Sequence, residues 1–546
     1  MLSEIFNKLN RPKTYLLLAN IFGVLFLIVL SNLHILPIKN LGDFIFFTVV
    51  YLAFALYRPG WSFLFFVGTI ALENINLAPK EIGIMVRPYQ FIGGLTIAAV
   101  LIKLAVKRLG FRLPQWNWYD LLFVIFTVTG FLSALFAPDK GVSFKQSIIA
   151  ASFVALYFLA RIFIQNSEDL KRVAPFFLSS SLIVVLYGIW QNIRFIYGNN
   201  SFEVMPGRPN ATFTEPDWLG IYLVLLLAVI YAVIYHCHSE RSGAESKNLI
   251  DNPSRSFDKP AYRTGRLRMT SLYILLTLTF ILLILTVSRS AWLGAFAVTF
   301  IYLFVIWTNL KWHPKNWEWK TTLQIKIPII ISLFLAFTIV YIFNLTNFQL
   351  FNRAQSTGGL QKITISCDPR VQLLDIQELN SRPIGNVSEL EKYGCRHINL
   401  EEIDQERSQG NFVTEIFRTD PNVNIRGIIY QKSWNTIKDH PILGIGWGSI
   451  GQILGTDENG TSLNSSNIFL EVWLGSGLLG ILVLAFILLY SLISGLRNFS
   501  TNDRTGKILG LCALLGLFAL IIPNLFNAGI FLGIVWLFLA VTTIKQ

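Results

Sequence analysis

The chain has 546 residues, of which 53% are hydrophobic and only 14% are charged, and its mean hydropathy is +0.53. Soluble domains carry about 25% charged residues, so this composition excludes an ordinary soluble enzyme and indicates a polytopic membrane protein. The net charge of +13 matches the excess of Lys and Arg that cytoplasmic loops of membrane proteins carry. We see no Arg-rich tail and no zinc-finger spacing, and expect no nucleic-acid partner.

Apolar runs long enough to cross a bilayer recur along the chain. The third run is short, and with the second it is also compatible with one re-entrant hairpin. We predict an all-α polytopic membrane protein with about 12–14 transmembrane helices and one large extracytoplasmic loop that contains short helices. The candidate spans are 14–33, 41–57, 59–72, 88–106, 119–136, 145–164, 173–190, 218–236, 270–287, 291–309, 327–345, 467–494, 508–523 and 526–543.

The orientation follows from the distribution of basic residues. Lys8, Arg11 and Lys13 precede the first span, and no cleavage site follows it, so we read it as an uncleaved helix that starts in the cytoplasm. Alternation from there gives the cytoplasmic face most of the Lys and Arg. We therefore expect both termini in the cytoplasm and the polar segment 346–465 outside.

Three regions result from this reading. Residues 1–345 hold transmembrane helices 1–11, with a polar cytoplasmic insertion at 237–269 that we expect to be disordered. Residues 346–465 form the extracytoplasmic loop, and residues 466–546 hold the C-terminal transmembrane helices.

The extracytoplasmic loop contains two local signals. Residues 424–438 place apolar side chains at near-helical spacing, which predicts an amphipathic helix leading into His440. Cys367 and Cys395 share this loop, and an oxidising compartment would permit a disulfide between them. Cys395 and His397 offer too few ligands for a metal site, and we predict none.

A lone histidine, His440, closes this loop beside Pro441 and three alternating glycines, Gly444, Gly446 and Gly448. An imidazole titrates near pH 6.5, which suits a general base. The alternative is an ordinary loop histidine packed by the proline. The glycines lack the strand and helix context of a nucleotide fingerprint. We expect them to permit a tight turn and a close approach of backbone or ligand.

Three arginines share the predicted outer face. Arg289 lies between two apolar runs, where an ionisable residue is a functional hypothesis by default, although an arginine snorkelling to the interface is the alternative. Arg208 precedes the eighth span, and Arg426 lies on the helix before His440. A guanidinium binds phosphate through a planar fork. The set therefore predicts an anionic group such as a lipid diphosphate at headgroup level.

The acidic residues of this face have competing interpretations. Glu215 and Asp217 are two residues apart and resemble a carboxylate pair, or they are helix-capping acids before the eighth span, which we favour. Ser465, Ser466 and Asn467 are candidates for a helix N-cap, with Glu471 entering the span behind them.

Four patches resemble the O-antigen ligase and O-antigen polymerase family of bacterial envelope glycosyltransferases. They frame residues from about 200 to 480, and the fourth is the weakest match. A departure is Ser466, because many members carry a histidine before the matching asparagine. The patches are His440-Pro441 with Gly444, Gly446, Gly448 and Ser449; Asn467 to Glu471 with Gly475 to Gly480; Ser288-Arg289-Ser290-Ala291-Trp292; and Arg208 with Thr212-Phe213 and Glu215-Pro216.

The resemblance implies a metal-independent, inverting glycosyltransferase of the bacterial inner membrane that needs no cofactor. The donor would be a glycan on undecaprenyl diphosphate, and the acceptor hydroxyl would belong to a lipid, a glycan or a protein. His440 would take the acceptor proton. Arg289, Arg208 and Arg426 would hold the diphosphate, with Glu215 in the substrate site. Membrane lipids are the remaining expected partners.

Other functions stay open at this stage. A flippase or other transporter for lipid-linked oligosaccharides would also be polytopic, but charges inside many spans or paired discontinuous helices would be expected. An assembly protein whose outer loop binds partners is a third class. Within the enzyme class, the sequence does not separate ligase, polymerase and protein O-oligosaccharyltransferase.

Overall fold

The structure is a computed structural model that describes residues 12–205, 207–251, 260–308, 319–345, 360–368, 379, 382–385, 387–398, 403–419, 421–455, 463–501 and 503–544. It is mostly helical. Its helices are α1 (Pro12–Asn32), α2 (Leu41–Tyr57), α3 (Pro59–Thr69), α4 (Pro88–Ala105), α5 (Trp118–Phe136), α6 (Lys140–Phe163), α7 (Ser167–Ile196), α8 (Pro216–Asp251), α9 (Pro260–Leu285), α10 (Arg289–Thr308), α11 (Trp319–Ile342), α12 (Ile403–Ser408), α13 (Pro421–Asp439), α14 (Ile450–Leu454), α15 (Ile468–Phe499), α16 (Arg504–Asn524) and α17 (Gly533–Val541).

The structure confirms the all-α polytopic class. Within the described residues, nine helices are long and apolar enough to cross a membrane, and three shorter apolar helices lie at 41–57, 269–285 and 326–342. Two of the predicted spans are shorter than expected. Helix α3 has 11 residues, and α17 has 9 residues after a 3-10 turn at Gly529–Phe531. Neither crosses a bilayer of about 30 Å alone.

Proline explains why α2 and α3 are separate helices. Arg58 has an extended φ of −137°, and Pro59 occupies the first turn of α3. A residue before proline avoids the helical region, whereas proline itself is tolerated at a helix start. The chain therefore breaks at Arg58.

The prediction of disorder in the insertion at 237–269 is wrong at both of its ends. Helix α8 continues to Asp251 and α9 begins at Pro260, whereas residues 252–259 lie outside the described residues. The run from Ser239 to Asp251 contains Glu, Arg, Ala and Lys, which favour helices. A polar composition alone does not exclude a helix.

The chain divides into two compact units. The membrane unit comprises residues 1–345 and 439–546, and the outer unit, which we name after its predicted side of the membrane, comprises residues 346–438. Residues 439–455 and 463–465, which the sequence analysis placed in the extracytoplasmic loop, pack with the membrane helices.

The outer unit contains an antiparallel sheet that the sequence analysis does not predict. Strand β1 (Leu360–Cys367) is central, between β2 (Cys395–His397) and β3 (Phe412–Thr419). Ile363, Ile365 and Ile416 lie in its buried core. Cys367 pairs with Cys395 in register, and the two form a disulfide, which confirms that prediction. The predicted helix before His440 is α13.

Candidate active site

The loop that starts at His440 is bound to a kink in α15. Gly477 has a positive φ of 70° inside this helix. The series of backbone hydrogen bonds along α15 is therefore interrupted there. Ile445 N donates to Leu474 O at 2.7 Å, and Leu478 N donates to Ile442 O at 3.0 Å. The loop thereby supplies hydrogen-bond partners to groups that the kink leaves unpaired.

The glycines of this loop act as predicted. Gly444, Gly446 and Gly448 all have φ between 69° and 84°, which favours glycine. A Cβ on Gly444 would lie 2.4 Å from Leu474 O, and one on Gly446 would lie 2.8 Å from Ser143 Oγ. The expectation of a tight turn with close backbone approach is confirmed.

Trp447 anchors the loop from within. Its side chain is 1% exposed, and Cβ atoms built on Gly475 and Gly130 would lie within 2.8 Å of its ring. Its ring centroid lies 5.2 Å from that of Phe531. By contrast His440 is exposed, and its carbonyl accepts a hydrogen bond from Gly444 N at 3.0 Å. The loop therefore presents a solvent-accessible imidazole on a rigidly packed base.

Arg208 is buried, with 7% of its surface exposed. Its Nε donates to Thr286 O at 3.1 Å, and its Nη2 forms an ion pair of 3.3 Å with Asp217 Oδ1. Asp217, in the first turn of α8, is therefore the ion-pair partner of Arg208. Glu215 is half-buried just before that helix, and its carbonyl accepts from Leu219 N.

Arg289 begins α10 and is half-buried. The turn before it is fixed by Trp292 Nε1, which donates to Leu283 O at 2.9 Å. The same turn provides Thr286 O to Arg208, three residues before Arg289. Helix α8 also approaches it closely, because a Cβ on Gly220 would lie 2.6 Å from Ala291 Cβ. The structure thus attaches both arginines to one turn.

Two asparagines extend this cluster. Asn527, in the connection after α16, donates from Nδ2 to Ser290 Oγ at 2.9 Å. Asn467 caps α15, accepting from Phe469 N and Leu470 N, and donates to Leu525 O at 3.0 Å. The N-cap prediction is confirmed at Asn467. Asn527 escaped the sequence analysis because it lies inside an apolar run, and a polar residue in such a run is the signal that could have found it.

Glu471, one turn into α15, holds the preceding segment. Its Oε2 accepts from Ser465 N at 2.9 Å and from Ser465 Oγ at 2.7 Å. The carboxylate is buried, with 8% of the residue exposed. Glu471 therefore fixes the conformation of the segment that leads into α15.

A second buried carboxylate, Glu73, was also missed. It is 0% exposed, forms an ion pair of 2.7 Å with Arg87 Nε, and accepts from Tyr89 OH and Gly533 N at 2.9 and 3.0 Å. Its own N–H donates to Thr212 O at 2.9 Å. It therefore ties the Arg208 segment to α4 and α17. A single acidic residue between two apolar runs is the sequence pattern that could have identified Glu73.

Glu203 precedes Arg208 by five residues in the same segment. Its Oε2 accepts from Gly207 N at 3.0 Å. Burial raises the pKa of Glu203 from 4.5 to about 7, although hydrogen bonds from Gly207 N and Ser201 oppose the rise. The segment therefore contains a carboxyl group that titrates near neutral pH.

Arg426 belongs to the outer unit, where it is half-buried on α13. Its part in a common site stays a prediction. Within the described residues, no group of three or more His, Cys, Asp or Glu side chains is placed to hold a metal ion. The structure thus brings Arg208 to Asp217 and to the turn that precedes Arg289, and joins the His440 loop to α15.

Comparison with known protein families finds a match over one part of the chain. Residues 274–485 match the family described as O-antigen ligase, and this range contains Arg289, His440, Gly477 and Glu471. Arg208 and Glu73 precede it. No curated protein is significantly similar in sequence to the chain. The chain is a polytopic membrane protein whose residues 274–485 are similar to the O-antigen ligase family.

Proposed function

We propose that this protein transfers a glycan from an undecaprenyl-diphosphate-linked donor to an acceptor hydroxyl, at the outer face of the bacterial cytoplasmic membrane, as an O-antigen ligase-like or polysaccharide polymerase-like enzyme. The attachment of Arg208 and Arg289 to one turn carries the proposal, through the contact of Arg208 Nε with Thr286 O. Two cations at a membrane boundary suit a lipid-linked diphosphate.

The arginines have different tasks in this proposal. Arg208 is oriented by Thr286 O, Asp217 and Met205 Sδ, and in this proposal the N–H groups that these contacts leave over bind one phosphate. Arg289, at the half-buried start of α10, meets the other phosphate. Negative charge grows on the leaving oxygen as the glycosidic bond breaks, and preorganised cations stabilise it without reorganising. We therefore propose that no metal ion is required.

His440 acts as the general base. The acceptor oxygen attacks the anomeric carbon while its proton passes to an imidazole nitrogen of His440. The bond from the anomeric carbon to the phosphate oxygen breaks, and undecaprenyl diphosphate leaves with the electron pair. Attack opposite to the leaving group inverts the anomeric centre. The acceptor is a lipid, a glycan or a protein hydroxyl.

The disulfide supports the proposed orientation. Disulfides persist in oxidising compartments and are rare in the cytosol, so Cys367–Cys395 favours an extracytoplasmic outer unit. The Lys and Arg of the short loops favour the same assignment. Both termini are then cytoplasmic.

The test is a transfer assay with purified protein in lipid nanodiscs. The donor is a defined undecaprenyl-diphosphate glycan, and lipid, glycan and protein acceptors are offered separately, each with and without EDTA. We expect glycan to appear on one acceptor class, with undecaprenyl diphosphate released in equal amount and no loss in EDTA. Transport of donor across a vesicle membrane without transfer to any acceptor would contradict the proposal and favour a flippase.

A further inference from the structure

The membrane unit contains an apolar cavity far from the arginines. Its volume is about 180 Å³, and its walls come from α3, α7, α8, α16 and α17. On α8 the lining runs from Val229 to His236, about 20–30 Å along the helix from Pro216 at the arginine cluster. The cavity therefore lies at the opposite end of the helices that carry the cluster.

Polar lining residues are concentrated at one end of this cavity. Ser167 and Lys171 lie in the first turns of α7, Thr505 lies in the first turn of α16, and His236 follows the apolar part of α8. Deeper in, the lining is apolar apart from the half-buried Cys512. Thr505 to Cys512 spans about 10 Å along α16. The cavity surface is thus apolar, and polar residues stand only around one end, which we call its mouth.

Water does not suit the interior, because a buried water needs two to four polar partners. Hydrocarbon does suit it, since a lipid tail is as apolar as the leucine and valine walls and leaves no water behind. The available length of about 10 Å accommodates part of one acyl chain.

Lys171 lies at the mouth, and its ammonium group can exchange its present carboxylate partner for another anion. Lys171 Nζ lies 2.8 Å from Glu168 Oε1, with both side chains at least half exposed, and such a surface pair contributes little. Two further acids near the mouth are engaged elsewhere, because Asp169 accepts from Gln165 N and Asp503 caps α16 through Gly506 N. Lys507 adds a positive charge one turn into α16. A phosphate group matches this surface.

We propose that the cavity holds one acyl chain of a phospholipid from the surrounding bilayer, with its phosphate at Lys171. The lipid fills the space between α7, α8, α16 and α17. It is independent of the chemistry proposed for the arginine cluster, and under the proposed orientation it belongs to the cytoplasmic leaflet.

Native mass spectrometry of the full chain tests this proposal. Ala174→Phe and Val541→Phe fill the cavity from two different walls. Each is expected to retain one phospholipid fewer than the wild type. Ala53→Phe, at an exposed position on α2, is the matched control and is expected to retain the wild-type number. Equal retention in the wild type and both filling variants would overturn the proposal, as would an equal loss in the control.

The phosphate contact has its own test. Delipidated protein is incubated with phosphatidylglycerol or with diacylglycerol of the same chains. We expect phosphatidylglycerol to restore one bound lipid and to raise the melting temperature of the wild type, and diacylglycerol to do so less. Lys171→Ala should abolish this difference between the two lipids. Equal retention of both lipids by the wild type would overturn the contact at Lys171.

Discussion

Arg208 and Arg289 are attached to the same turn, but the protein holds them differently. Arg208 is buried and its three guanidinium nitrogens contact Thr286 O, Met205 Sδ and Asp217. Arg289, by contrast, begins a helix at a half-buried position. A residue fixed in this way contributes orientation as well as charge. A residue at the rim contributes mainly charge and the geometry of its fork.

The first prediction concerns Arg289. Arg289→Ala should lower the transfer rate by about 10²–10³-fold, the typical effect of removing one preorganised donor at a developing charge, and should weaken donor binding. Arg289→Lys keeps the charge but loses the bidentate fork, so its defect should be smaller but clear. Transfer rates and binding of labelled donor give both numbers.

The matched control for Arg289 is Arg194→Ala. Arg194 donates to Asn200 O and lies over the ring of Trp190, outside the cluster, so near-normal transfer is expected. Unchanged donor binding and turnover in Arg289→Ala would leave this residue as a snorkelling interface anchor.

Glu203 gives a prediction about pH. Its pKa in the folded protein is about 7 against 4.5 in a model carboxyl, so between these values the folded segment binds a proton that the unfolded segment releases. Stability therefore falls as pH rises from about 4.5 to 7. Hydrogen exchange of residues 201–217 should be slower at pH 5 than at pH 8, after correction for the intrinsic rate. Glu203→Gln should remove most of this difference, and an unchanged pH dependence would refute the assignment.

At the scale of elements, the kink of α15 and the His440 loop depend on each other. A Cβ on Gly477 would lie 2.1 Å from Ile442 O, and its φ is positive. Gly477→Ala should therefore displace the loop and destabilise the protein by about 1–3 kcal/mol, with a loss of transfer. Gly94→Ala, in α4 with no atom near its Cβ, is the control. Thermal unfolding and transfer assays of the two variants measure the effect, and equal behaviour would contradict it.

The outer unit contains a carboxylate, Glu406, whose hydrogen bonds we expect to weaken in acid. Ser366 Oγ and Asn411 Nδ2 donate to Glu406 Oε2, and hydrogen bonds from Ser366 and Asn411 lower the pKa of Glu406 below its usual 4.5. A lowered pKa contributes stability above pH 4.5 that is lost as pH falls through the folded value. Wild-type protein should lose protection of β1 on acidification below 4.5. Glu406→Gln should already be less protected at pH 7, and equal protection there would contradict the role of this carboxylate.

Elements differed in how well the sequence predicts them. Each of the fourteen candidate runs contains a helix, because a long apolar run in a bilayer has one backbone solution. The runs 59–72 and 526–543 contain only the shorter helices α3 and α17. The three-stranded sheet escaped because β1 and β3 pair residues about 50 positions apart, such as Ile363 with Ile416, and periodicity reports only local structure.

The candidate active site, too, could be predicted only in part from the sequence. Arg208, Arg289 and His440 were predictable, since each is an ionisable or motif residue at the end of an apolar run. Their partners were not. Thr286 O and Gly533 N are backbone groups that carry no residue signature, so the contacts with Arg208 and Glu73 emerge only when distant helices pack.

For the whole molecule, sidedness is the property on which the proposed chemistry depends. In a Cys237→Ser background, Gln409→Cys in the outer unit should react with a membrane-impermeant maleimide in intact cells. Ser500→Cys, between α15 and α16, should react only after the membrane is opened. Both positions are exposed. Labelling with the opposite pattern would contradict the orientation.

In the proposed mechanism His440 takes the acceptor proton at a site where arginines hold the diphosphate. The most direct measurement compares His440→Ala with wild type in nanodiscs, recording donor binding and glycan transfer on the same preparation. The account predicts wild-type donor binding with transfer reduced by about 10²–10⁴-fold, the usual contribution of a general base. Near-normal transfer by a folded His440→Ala protein, with transfer lost instead in Glu215→Gln, would contradict it and place the base at Glu215.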